Sequence, residues 1–582
     1  MKVKLINEPI SSDYGKNLLG ARGIKDIDTF LNPTEDCLQD WRDFGAPIAK
    51  GVYLIKELDP EGRIAVVVDC DVDGYTSAAI FIQYLERLYP RLTIEVFIHE
   101  GKAHGLEEHW EEISNEQYDL IVLPDAGSND AQYAEKLDTM PILVLDHHIL
   151  EVEPHFNMTI INNQVAEDYR NKSLSGAGVV YQFCRAMDYY FDKDWAHDYI
   201  DLAALGICGD MMSGLVVENQ YFWKEGFSHI NNYFFMTLAR KQGYSITGKV
   251  SPSDDEIIAA LNPTTVAFYI VPLINAMVRV GSKAEKVRML KAFIKGHEMV
   301  PSLKRGAKGT YEEVAVESTR ECTNARAHQN KFKENAVASL EQKIFKEDLL
   351  ANKILFIRLD DDDDFPSELN GLIAMQLSQK YKRPTIVARL NNENYVRGSI
   401  RGLSNSELVS FKEYLDSTGL FEYVQGHDNA AGCSIKNSDL ARLHEKANSD
   451  LAQYDFGENY YEVEFERQAL SNDLPELIAD LAQYKNIWSQ QCNEPLIYVR
   501  DLHFKWEDVQ IMGRNKDTIK IVKEGVAYMK FFAKDMIAEL SKYDEIRMEI
   551  VGKANLNEWM GRTTPQIFIE NYEIKEDKIT DF

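Results

Sequence analysis

Pro141–Ile149, PILVLDHHI, is a short apolar segment that ends in three titratable side chains, Asp146, His147 and His148. A continuous run of Ile, Leu and Val is typical of a strand buried on both faces of a parallel sheet. The carboxyl ends of such strands lie at the edge where α/β proteins bind ligands. The segment therefore predicts an α/β domain with these side chains at that edge. Taken alone, it also fits a simpler alternative, in which Asp146 caps the next helix and the histidines only make hydrogen bonds.

An earlier apolar segment ends in carboxylates as well. Gly62–Val68, GRIAVVV, runs into Asp69, Asp71 and Asp73, which strand alternation would place on one side. The run DCDVDG also resembles the opening of a calcium-binding EF-hand loop. That interpretation is rejected because the run follows a buried strand and because position 12, where the loop needs glutamate, is Ile80.

Two further segments bring carboxylates to the same edge. Tyr118–Leu123 is a strand candidate followed by Asp125, and the small and apolar segment Tyr199–Gly209 is followed by Asp210. Each acid alone could be a helix cap or an ion-pair partner. Four convergent acidic ends would repel one another unless cations lie among them.

Oxygen ligands with one or two imidazoles suit Mn²⁺ or Mg²⁺, and the absence of thiolates disfavours zinc. Two such ions, bridged by a carboxylate, would hold both the attacking and the leaving oxygen of a phosphoryl group. Hydrolysis of a phosphoester is therefore the leading reaction class.

Composition bounds the remaining possibilities. With 582 residues, 45% of them hydrophobic and 27% charged, the chain is expected to form roughly three or four globular domains. Its net charge of −29 argues against a protein that coats nucleic acid electrostatically, although a narrow basic groove or bound metal ions could still hold a strand. The acidic run Asp360–Asp364 is interpreted as a solvated loop rather than a cation site.

Location and redox state follow from simple patterns. The first residues lack the apolar core of a signal peptide, and no run of about 18 apolar residues occurs. A cytoplasmic protein without membrane contact is expected, and we expect a monomer. The 7 cysteines are scattered without a CxxC pair, which argues against a disulfide framework or a zinc site.

The motifs, in this order, resemble those of the DHH phosphoesterase superfamily and specifically its RecJ-type single-stranded-DNA exonucleases. DHH alone would be a weak signal, but the ordered set is specific and covers most of the chain. The motifs are DCDVDG (69–74), LPDAG (123–127), VLDHHI (144–149), SGAGVVYQF (175–183), LGICGDMM (205–212), PLINAMVRVG (272–281), NGLIAMQLSQKYKRPTIV (370–387), GSIR (398–401) and GHDNAAG (426–432).

The resemblance, together with the short β-like segments of the tail, implies an α/β architecture that continues into a β-barrel. The expected parts are an N-terminal helical lead-in (1–45), a parallel-sheet DHH domain (46–282), connecting helices (283–350), a smaller α/β DHH-associated substrate-binding domain (351–455) and an OB-like nucleic-acid-binding barrel (456–582).

The resemblance also implies roles for the polar strand ends. His148 would contact the scissile phosphate, Asp125 would bridge the two ions, and Asp69 would lie close by, so these three are the expected catalytic residues. Some relatives carry a histidine at the position of Val67, so the first metal is expected to be held more weakly or to be completed by Asp69 or water. The implied metal ligands are Asp71, Asp73, Asp125, His147 and Asp210.

Substrate contacts are expected in the DHH-associated domain. Ser399 and Arg401 alternate onto one face of a short strand, and a hydroxyl beside a guanidinium makes a phosphate clamp, which in the family receives the 5′-terminal phosphate. Gly426 would allow close backbone approach, with His427 directed at a phosphate. For Arg401 the alternative is a salt bridge.

Three more residues are expected to contact the substrate. Asn275 and Arg279 would line the substrate channel, although a purely structural role is nearly as well supported. His99 stands where many relatives have an arginine, and with Lys102 and His104 it could partly replace that charge.

The leading functional hypothesis is a Mn²⁺- or Mg²⁺-dependent 5′-to-3′ exonuclease of single-stranded DNA, acting in repair, recombination or replication, with a single-strand-binding protein or a helicase as a further partner. One alternative is a phosphodiesterase of cyclic dinucleotides or short oligonucleotides, but the barrel-like tail favours a polymeric substrate. The other is a non-catalytic replication partner, a class that loses metal ligands, whereas this chain retains nearly the whole set.

Overall fold

The structure is a computed structural model that describes residues 1–6, 13–101, 103–307, 309–359, 365–391, 394–559 and 561–575. Lys102 and the acidic run Asp360–Asp364 lie outside the described residues. The chain divides into two compact units. We call them the DHH unit (Asp28–Lys331 and Asn486–Cys492) and the C-terminal unit (Met1–Ile27, Phe332–Lys485 and Asn493–Phe582).

The strands, in chain order, are β1 Lys2–Leu5, β2 Arg63–Val68, β3 Thr93–Ile98, β4 Leu120–Pro124, β5 Ile142–Asp146, β6 Met158–Asn162, β7 Met299–Pro301, β8 Tyr311–Glu313, β9 Leu355–Leu359, β10 Thr385–Leu390, β11 Tyr395–Arg401, β12 Phe421–His427, β13 Ala430–Lys436, β14 Tyr460–Val463, β15 Phe465–Gln468, β16 Leu496–Lys505, β17 Gln510–Met512, β18 Thr518–Lys523, β19 Val526–Lys530, β20 Glu545–Trp559 and β21 Arg562–Ile574. The α-helices are α1 Tyr14–Ala21, α2 Ile27–Leu31, α3 Ala46–Lys56, α4 Val72–Leu88, α5 Trp110–Ser114, α6 Ala131–Ala134, α7 Gly176–Phe191, α8 Ile200–Gly209, α9 Val217–Ser228, α10 Tyr233–Lys241, α11 Gly243–Thr247, α12 Asp254–Ile258, α13 Pro263–Thr265, α14 Val271–Val280, α15 Lys283–Lys295, α16 Val314–Lys346, α17 Asn370–Tyr381, α18 Phe411–Ser417, α19 Leu440–Asp450, α20 Leu474–Ala482 and α21 Lys534–Leu540.

The DHH unit is built on a parallel sheet of order β3-β2-β4-β5-β6. Alternate residues of its central strands enter two different cores: Val66 and Leu143 pack on one side, and Val67 and Val144 on the other. Every residue of β4 and β5 is buried, which confirms the prediction of strands covered on both faces. The carboxyl ends of β2, β4 and β5 therefore meet at one sheet edge.

The C-terminal unit contains two larger sheets. One is mixed, of order β12-β13-β11-β10-β9, and an apolar core on one of its faces includes Ile386, Ile400 and Cys433. The other is seven-stranded, of order β15-β16-β20-β21-β19-β18-β17, and its longest antiparallel pair is β20 with β21. The mixed α/β class and the strand-rich tail agree with the predicted architecture.

The N-terminal segment differs from the expected helical lead-in. Its first residues form β1, which pairs in parallel with β14, so that Lys2 lies opposite Tyr460. The sequence KVKL alternates polar and apolar residues as a strand does. A partner more than 450 residues away is invisible to local pattern, which is why the helical prediction was wrong at this end.

One helical stretch of the described residues, Pro263–Val280, is long and apolar enough to cross a membrane by composition alone. It joins α13 and α14 through a π-helical turn at Val266–Ile270. Half of its most apolar window is buried, with Ile274 and Met277 in the core of the DHH unit. A core helix passes the same test, so this stretch is weak evidence for a membrane span.

A buried carboxylate, Glu218 of α9, holds together the loops that precede α7. It accepts hydrogen bonds from the Gln39 backbone N–H (2.9 Å), the Tyr169 hydroxyl (2.9 Å), the Asn171 amide (2.8 Å) and the Gln182 amide (3.0 Å). Each of these donors would be left without this acceptor if the carboxylate were removed. Glu218 thereby helps to fix the segment that leads into the amino end of α7.

We expect Glu218→Ala to lower the free energy of unfolding by roughly 2–4 kcal/mol, because several buried donors lose their acceptor at once. Urea unfolding of the wild-type and variant proteins measures the change. The matched control is Glu57→Ala, on an exposed helix end, which should stay within about 0.5 kcal/mol of the wild type. Equal stability of the Glu218 and Glu57 variants would contradict this role.

Candidate metal centre and substrate face

Three carboxylates surround the turn between β2 and α4. Asp71 is the N-cap of α4, and its Oδ1 accepts a hydrogen bond from the Gly74 backbone N–H at 3.0 Å. Asp69 and Asp73 are buried beside it. Burial and the negative charges of Asp69 and Asp73 raise the pKa of Asp71 to about 6. This strand–turn–helix arrangement brings together the three acids that strand alternation had grouped.

Asp73 is held at the amino end of α7. Its carboxylate accepts hydrogen bonds from the Ser175 hydroxyl (2.8 Å) and from the backbone N–H groups of Gly176 (2.7 Å) and Ala177 (3.1 Å). These donors and the positive end of the helix dipole stabilise the ionised carboxylate. The motif SGAGVVYQF (175–183), to which the resemblance gave no role of its own, thus supplies the donors to Asp73.

Asp125 is the most constrained acid of the site. It adopts a left-handed backbone conformation (φ 70°), is 1% exposed, and its Oδ1 has no hydrogen-bond partner among the described residues. A Cβ placed on Gly176 would lie 2.3 Å from that oxygen, so glycine is required there. Burial and the neighbouring carboxylates raise the pKa of Asp125. A buried oxygen without a donor and among like charges fits a cation.

His147 faces three carboxylates. Its Nε2 lies 3.3 Å from Asp125 Oδ1, 3.5 Å from Asp210 Oδ2 and 4.0 Å from Asp73 Oδ2. Burial lowers the pKa of His147, which favours the neutral imidazole that a metal ion requires.

Among the sets of candidate ligand atoms that lie within 4.8 Å of one another, two neighbouring groups consist of Asp69 and the predicted metal ligands. All three ligands of the first group are carboxylates, and the second combines two carboxylates with one imidazole. This donor set fits Mn²⁺ or Mg²⁺. The first group is Asp69, Asp71 and Asp125, and the second is Asp73, His147 and Asp210.

Asp146 and His148 form a pair beside these groups. Asp146 Oδ1 lies 2.7 Å from His148 Nδ1, and the carboxylate also accepts hydrogen bonds from the backbone N–H groups of Ser128 (3.0 Å) and His147 (2.7 Å). Burial opposes the charge of each partner, but the hydrogen bond between them lowers the pKa of Asp146 and raises that of His148 to about 9. The raised pKa favours the protonated imidazole of His148 at neutral pH. Because the side chain is half exposed, this imidazole is open to a ligand.

In the loop after β3, His99 and His104 are placed differently from the prediction. His99 is 1% exposed, its Nδ1 lies 3.2 Å from Glu108 Oε2, and its ring centroid lies 4.7 Å from that of His109, with the rings tilted by 36°. A side chain enclosed in this way offers no surface to a phosphate, so the substrate contact expected for His99 is not supported. His104 instead reaches the metal centre, with Nδ1 at 2.9 Å and 3.0 Å from the two oxygens of Asp69. The hydrogen bond with Asp69 raises the pKa of His104 to about 11, so a metal ion that bound this nitrogen would have to displace its proton.

Helix α14 carries the two other residues that were expected to line a substrate channel in this unit. Asn275 and Arg279 are both half-buried. Burial and the nearby Arg326 lower the pKa of Arg279, while Asp71 opposes that shift. Arg279 therefore lies within electrostatic reach of the first metal group, beside Arg326 of α16.

In the C-terminal unit, the predicted clamp residues share one side of the β11–β13–β12 region. Residues directly opposite in antiparallel strands project to the same side. The opposite side carries the buried core residues Ile400 and Cys433. The polar face, as we call it, consists of two rows in register: Arg401, Ala430 and His427, and Ser399, Gly432 and Gln425.

Small residues shape this polar face. A Cβ on Gly432 would meet nothing closer than 3.9 Å, so the middle of the face is open. Gly426, beside His427, has φ 133°, a conformation that favours glycine. The Arg401 guanidinium lies against Gly371 at the start of α17, where a Cβ would come within 2.4 Å of Nη2. These contacts fix the arginine beside the open row.

Two family models match the chain: the DHH family N-terminal domain over residues 63–207 and the RecJ OB domain over residues 469–571. A prophage-derived protein of Bacillus subtilis (strain 168), named as the single-strand DNA-specific exonuclease YorK, is 33% identical over 99% of both chains. The single-stranded-DNA-specific exonuclease RecJ of the same organism is 23% identical over 90% of this chain and 63% of its own.

Solved structures show the same fold. The crystal structure of RecJ in complex with Mn²⁺ from Thermus thermophilus matches 99% of this chain and 80% of its own with a TM-score of 0.71 at 19% identity. The Mg²⁺ complex from the same source matches 99% of this chain with a TM-score of 0.64 at 18% identity.

We expect the affinity of the protein for Mn²⁺ to rise with pH between about 5 and 8. Raised pKa values mean that Asp71, Asp125 and Asp210 bind protons at the acidic end of this range, and a metal ion must displace them. Isothermal titration calorimetry in buffers of different ionisation enthalpy gives both the affinity and the protons released. In Asp210→Asn the proton release should decrease. An affinity independent of pH would refute this electrostatic account.

Proposed function

We propose that this chain, which belongs to the RecJ-type family of single-strand DNA-specific exonucleases within the DHH superfamily, removes mononucleotides from the 5′ end of single-stranded DNA. The observation that carries the proposal is the pair of ligand groups at the carboxyl edge of the parallel sheet, together with the Asp125 oxygen that has no donor among the described residues. An acidic edge of this kind gains stability from divalent cations and serves a reaction in which negative charge accumulates.

The metal ions would be held by the chain's own carboxylates and imidazole. Asp69, Asp71 and Asp125 fit one ion, Asp73, His147 and Asp210 fit the other, and the position of Asp125 next to His147 suits a bridge. When bound, two such ions activate a water molecule and neutralise the charge of the phosphate. Mn²⁺ and Mg²⁺ both suit these ligands, with the imidazole favouring Mn²⁺.

Three side chains around this centre, those of Asp146, His148 and Arg279, have separate roles towards the scissile phosphate. Asp146 holds His148 through Nδ1, which leaves Nε2 as the nitrogen that can donate a hydrogen bond or a proton to the scissile phosphate. The raised pKa of His148 keeps it protonated at neutral pH, as an electrophilic role requires. Arg279 supplies positive charge on the Asp71 side of the centre.

The polar face is the proposed receptor for the terminal phosphate. Ser399 offers a hydroxyl and Arg401 a guanidinium, a combination that binds phosphate through charge-assisted hydrogen bonds. His427 lies in the same row as Arg401, on the other side of Ala430, and completes the donors. The directional choice of the 5′ end would come from this clamp, since the hydrolytic residues themselves bind any phosphodiester.

The alternatives have less support. A phosphodiesterase of small nucleotides would not require the OB domain, which offers surface for a polymer. A non-catalytic replication partner would not be expected to retain both ligand groups. A role in repair, recombination or replication, a single-strand-binding protein or helicase as partner, a monomeric state and a cytoplasmic location remain predictions.

Digestion of end-labelled DNA tests the proposed activity. With Mn²⁺ or Mg²⁺ we expect mononucleotides from the 5′ end of single-stranded DNA and little product from a blunt duplex. RNA and dinucleotides serve as comparison substrates in parallel reactions. Activity confined to dinucleotides would instead favour the small-nucleotide phosphodiesterase.

Asp125→Asn should lower the rate of hydrolysis by roughly 1000-fold or more, because the substitution removes the charge shared by the two ligand groups while keeping the side-chain volume. Rates on labelled single-stranded DNA measure the effect, and thermal melting checks the fold. Asp138→Asn, at an exposed position of the same unit, is the matched control and should keep the wild-type rate. An active Asp125→Asn protein would exclude the proposed bridge.

Arg401→Ala should reduce the rate on 5′-phosphorylated DNA roughly 10- to 100-fold, the equivalent of one charge-assisted interaction, and should affect 5′-hydroxyl DNA much less. The ratio of the two rates is the measurement. Arg397→Ala provides the control, since Arg397 lies on the same strand but outside the two rows of the polar face, with its guanidinium 3.6 Å from Glu422. An unchanged ratio in Arg401→Ala would remove this residue from end recognition.

A further inference from the structure

His104 belongs to the loop between β3 and α5, outside the four segments that supply the metal ligands. Its Nδ1 lies 2.9 Å and 3.0 Å from the two oxygens of Asp69, while the Cys70 sulfur is 3.9 Å away. Asp69 itself is 2% exposed. An imidazole nitrogen is thus placed directly against Asp69, one member of the first metal group, and Asp69, Cys70 and His104 offer ligand atoms within 4.8 Å of one another.

Contacts on both sides of His104 hold the loop in position. Leu106 donates its backbone N–H to Asp130 at 2.7 Å, and Gly105, with φ 56°, packs so closely on Asp130 that a Cβ there would lie 2.1 Å from Oδ2. At the other end Glu108 accepts a hydrogen bond from the Glu100 backbone N–H at 3.1 Å. Hydrogen bonds and packing therefore fix the backbone on the described parts of the loop, and with it the position of His104.

The first metal group lacks an imidazole of its own. Its members Asp69, Asp71 and Asp125 are all carboxylates, whereas the second group contains His147. Strand β2 adds no nitrogen ligand to this group. The position at which some relatives carry a histidine is Val67 here, and Val67 is buried in the apolar core. His104 is the nitrogen donor that the structure places within reach of Asp69.

The spacing of the atoms suits two ligands of one ion. Ligand atoms at about 2.1 Å from an octahedral metal are separated by about 3.0 Å when they occupy adjacent positions. The distances from His104 Nδ1 to the Asp69 oxygens match this separation. A hydrogen bond has the same length, so the distances alone fit both a ligand and a donor to Asp69.

We propose that His104 is an imidazole ligand of the metal ion held by Asp69, Asp71 and Asp125. The proposal rests on the two-ion centre of the proposed function and adds a residue to it. Each ion then has one nitrogen donor, His104 for the first and His147 for the second. Imidazole ligation at both positions shifts the preference of the centre towards Mn²⁺.

The test is the hyperfine coupling of histidine nitrogen to bound Mn²⁺, measured by electron spin-echo spectroscopy on the full chain. In a His147→Gln background the second group has lost its imidazole, so we expect the remaining nitrogen coupling to come from His104. It should disappear in His147→Gln/His104→Gln and persist in the control His147→Gln/His229→Gln, whose His229 is exposed. Coupling that is absent in His147→Gln, or that survives in the double variant with His104→Gln, would overturn the proposal.

A second measurement uses the single variant His104→Ala, with its fold checked by thermal melting. Its affinity for Mn²⁺ should fall roughly 10- to 100-fold, with a smaller fall for Mg²⁺, because a nitrogen ligand favours Mn²⁺. Equal losses for both ions would indicate that His104 only orients Asp69 and would overturn the assignment. Failure of the wild-type protein to bind two ions would contradict the proposed function itself. Binding of two ions without an effect of His104→Ala would contradict only the His104 assignment.

Discussion

Mutual repulsion among buried carboxylates is the constraint on which the centre of this protein depends. Asp69, Asp73 and Asp125 are each almost fully buried at the same sheet edge. The charge of Asp73 is balanced by the hydroxyl and N–H donors at the start of α7, whereas Asp125 Oδ1 meets no donor among the described residues. Packing holds such an acid in place, and a divalent cation would compensate its charge.

Glycine residues make this concentration of charge sterically possible. Cβ atoms at Gly74, Gly176 and Gly206 would each come within 2.6 Å of Asp69, Asp125 or Asp73 respectively. The acids can therefore lie this close to neighbouring helices only because glycine occupies these positions. The geometry of the centre thus depends on these glycines as well as on the acids.

Much of this centre could be predicted from the sequence. Continuous apolar runs indicate buried parallel strands, and the carboxyl ends of such strands lie at the same edge of the sheet. The positions of Asp69, Asp71, Asp73, Asp125 and His147 followed from that rule, and the family resemblance added the order of domains. The structure places all five in the two ligand groups.

What could not be predicted depends on loops and on distant pairing. The burial of His99 follows from Glu108 and His109, which lie in an irregular segment without periodicity. The donors to Asp73 come from a helix that begins about 100 residues later. The contact of His104 with Asp69 likewise requires the path of a loop, which residue patterns do not specify.

The parallel pairing of β1 with β14 has a consequence for synthesis of the chain. Strand β1 leaves the ribosome well before its partner at Tyr460–Val463, which is made only after the whole main segment of the DHH unit, Asp28–Lys331. That segment can therefore begin to fold while the residues before it still lack their partner, and long-range contacts of this kind form late. A chain that stopped before β14 would leave β1 as an unpaired edge strand, the kind of surface that promotes aggregation.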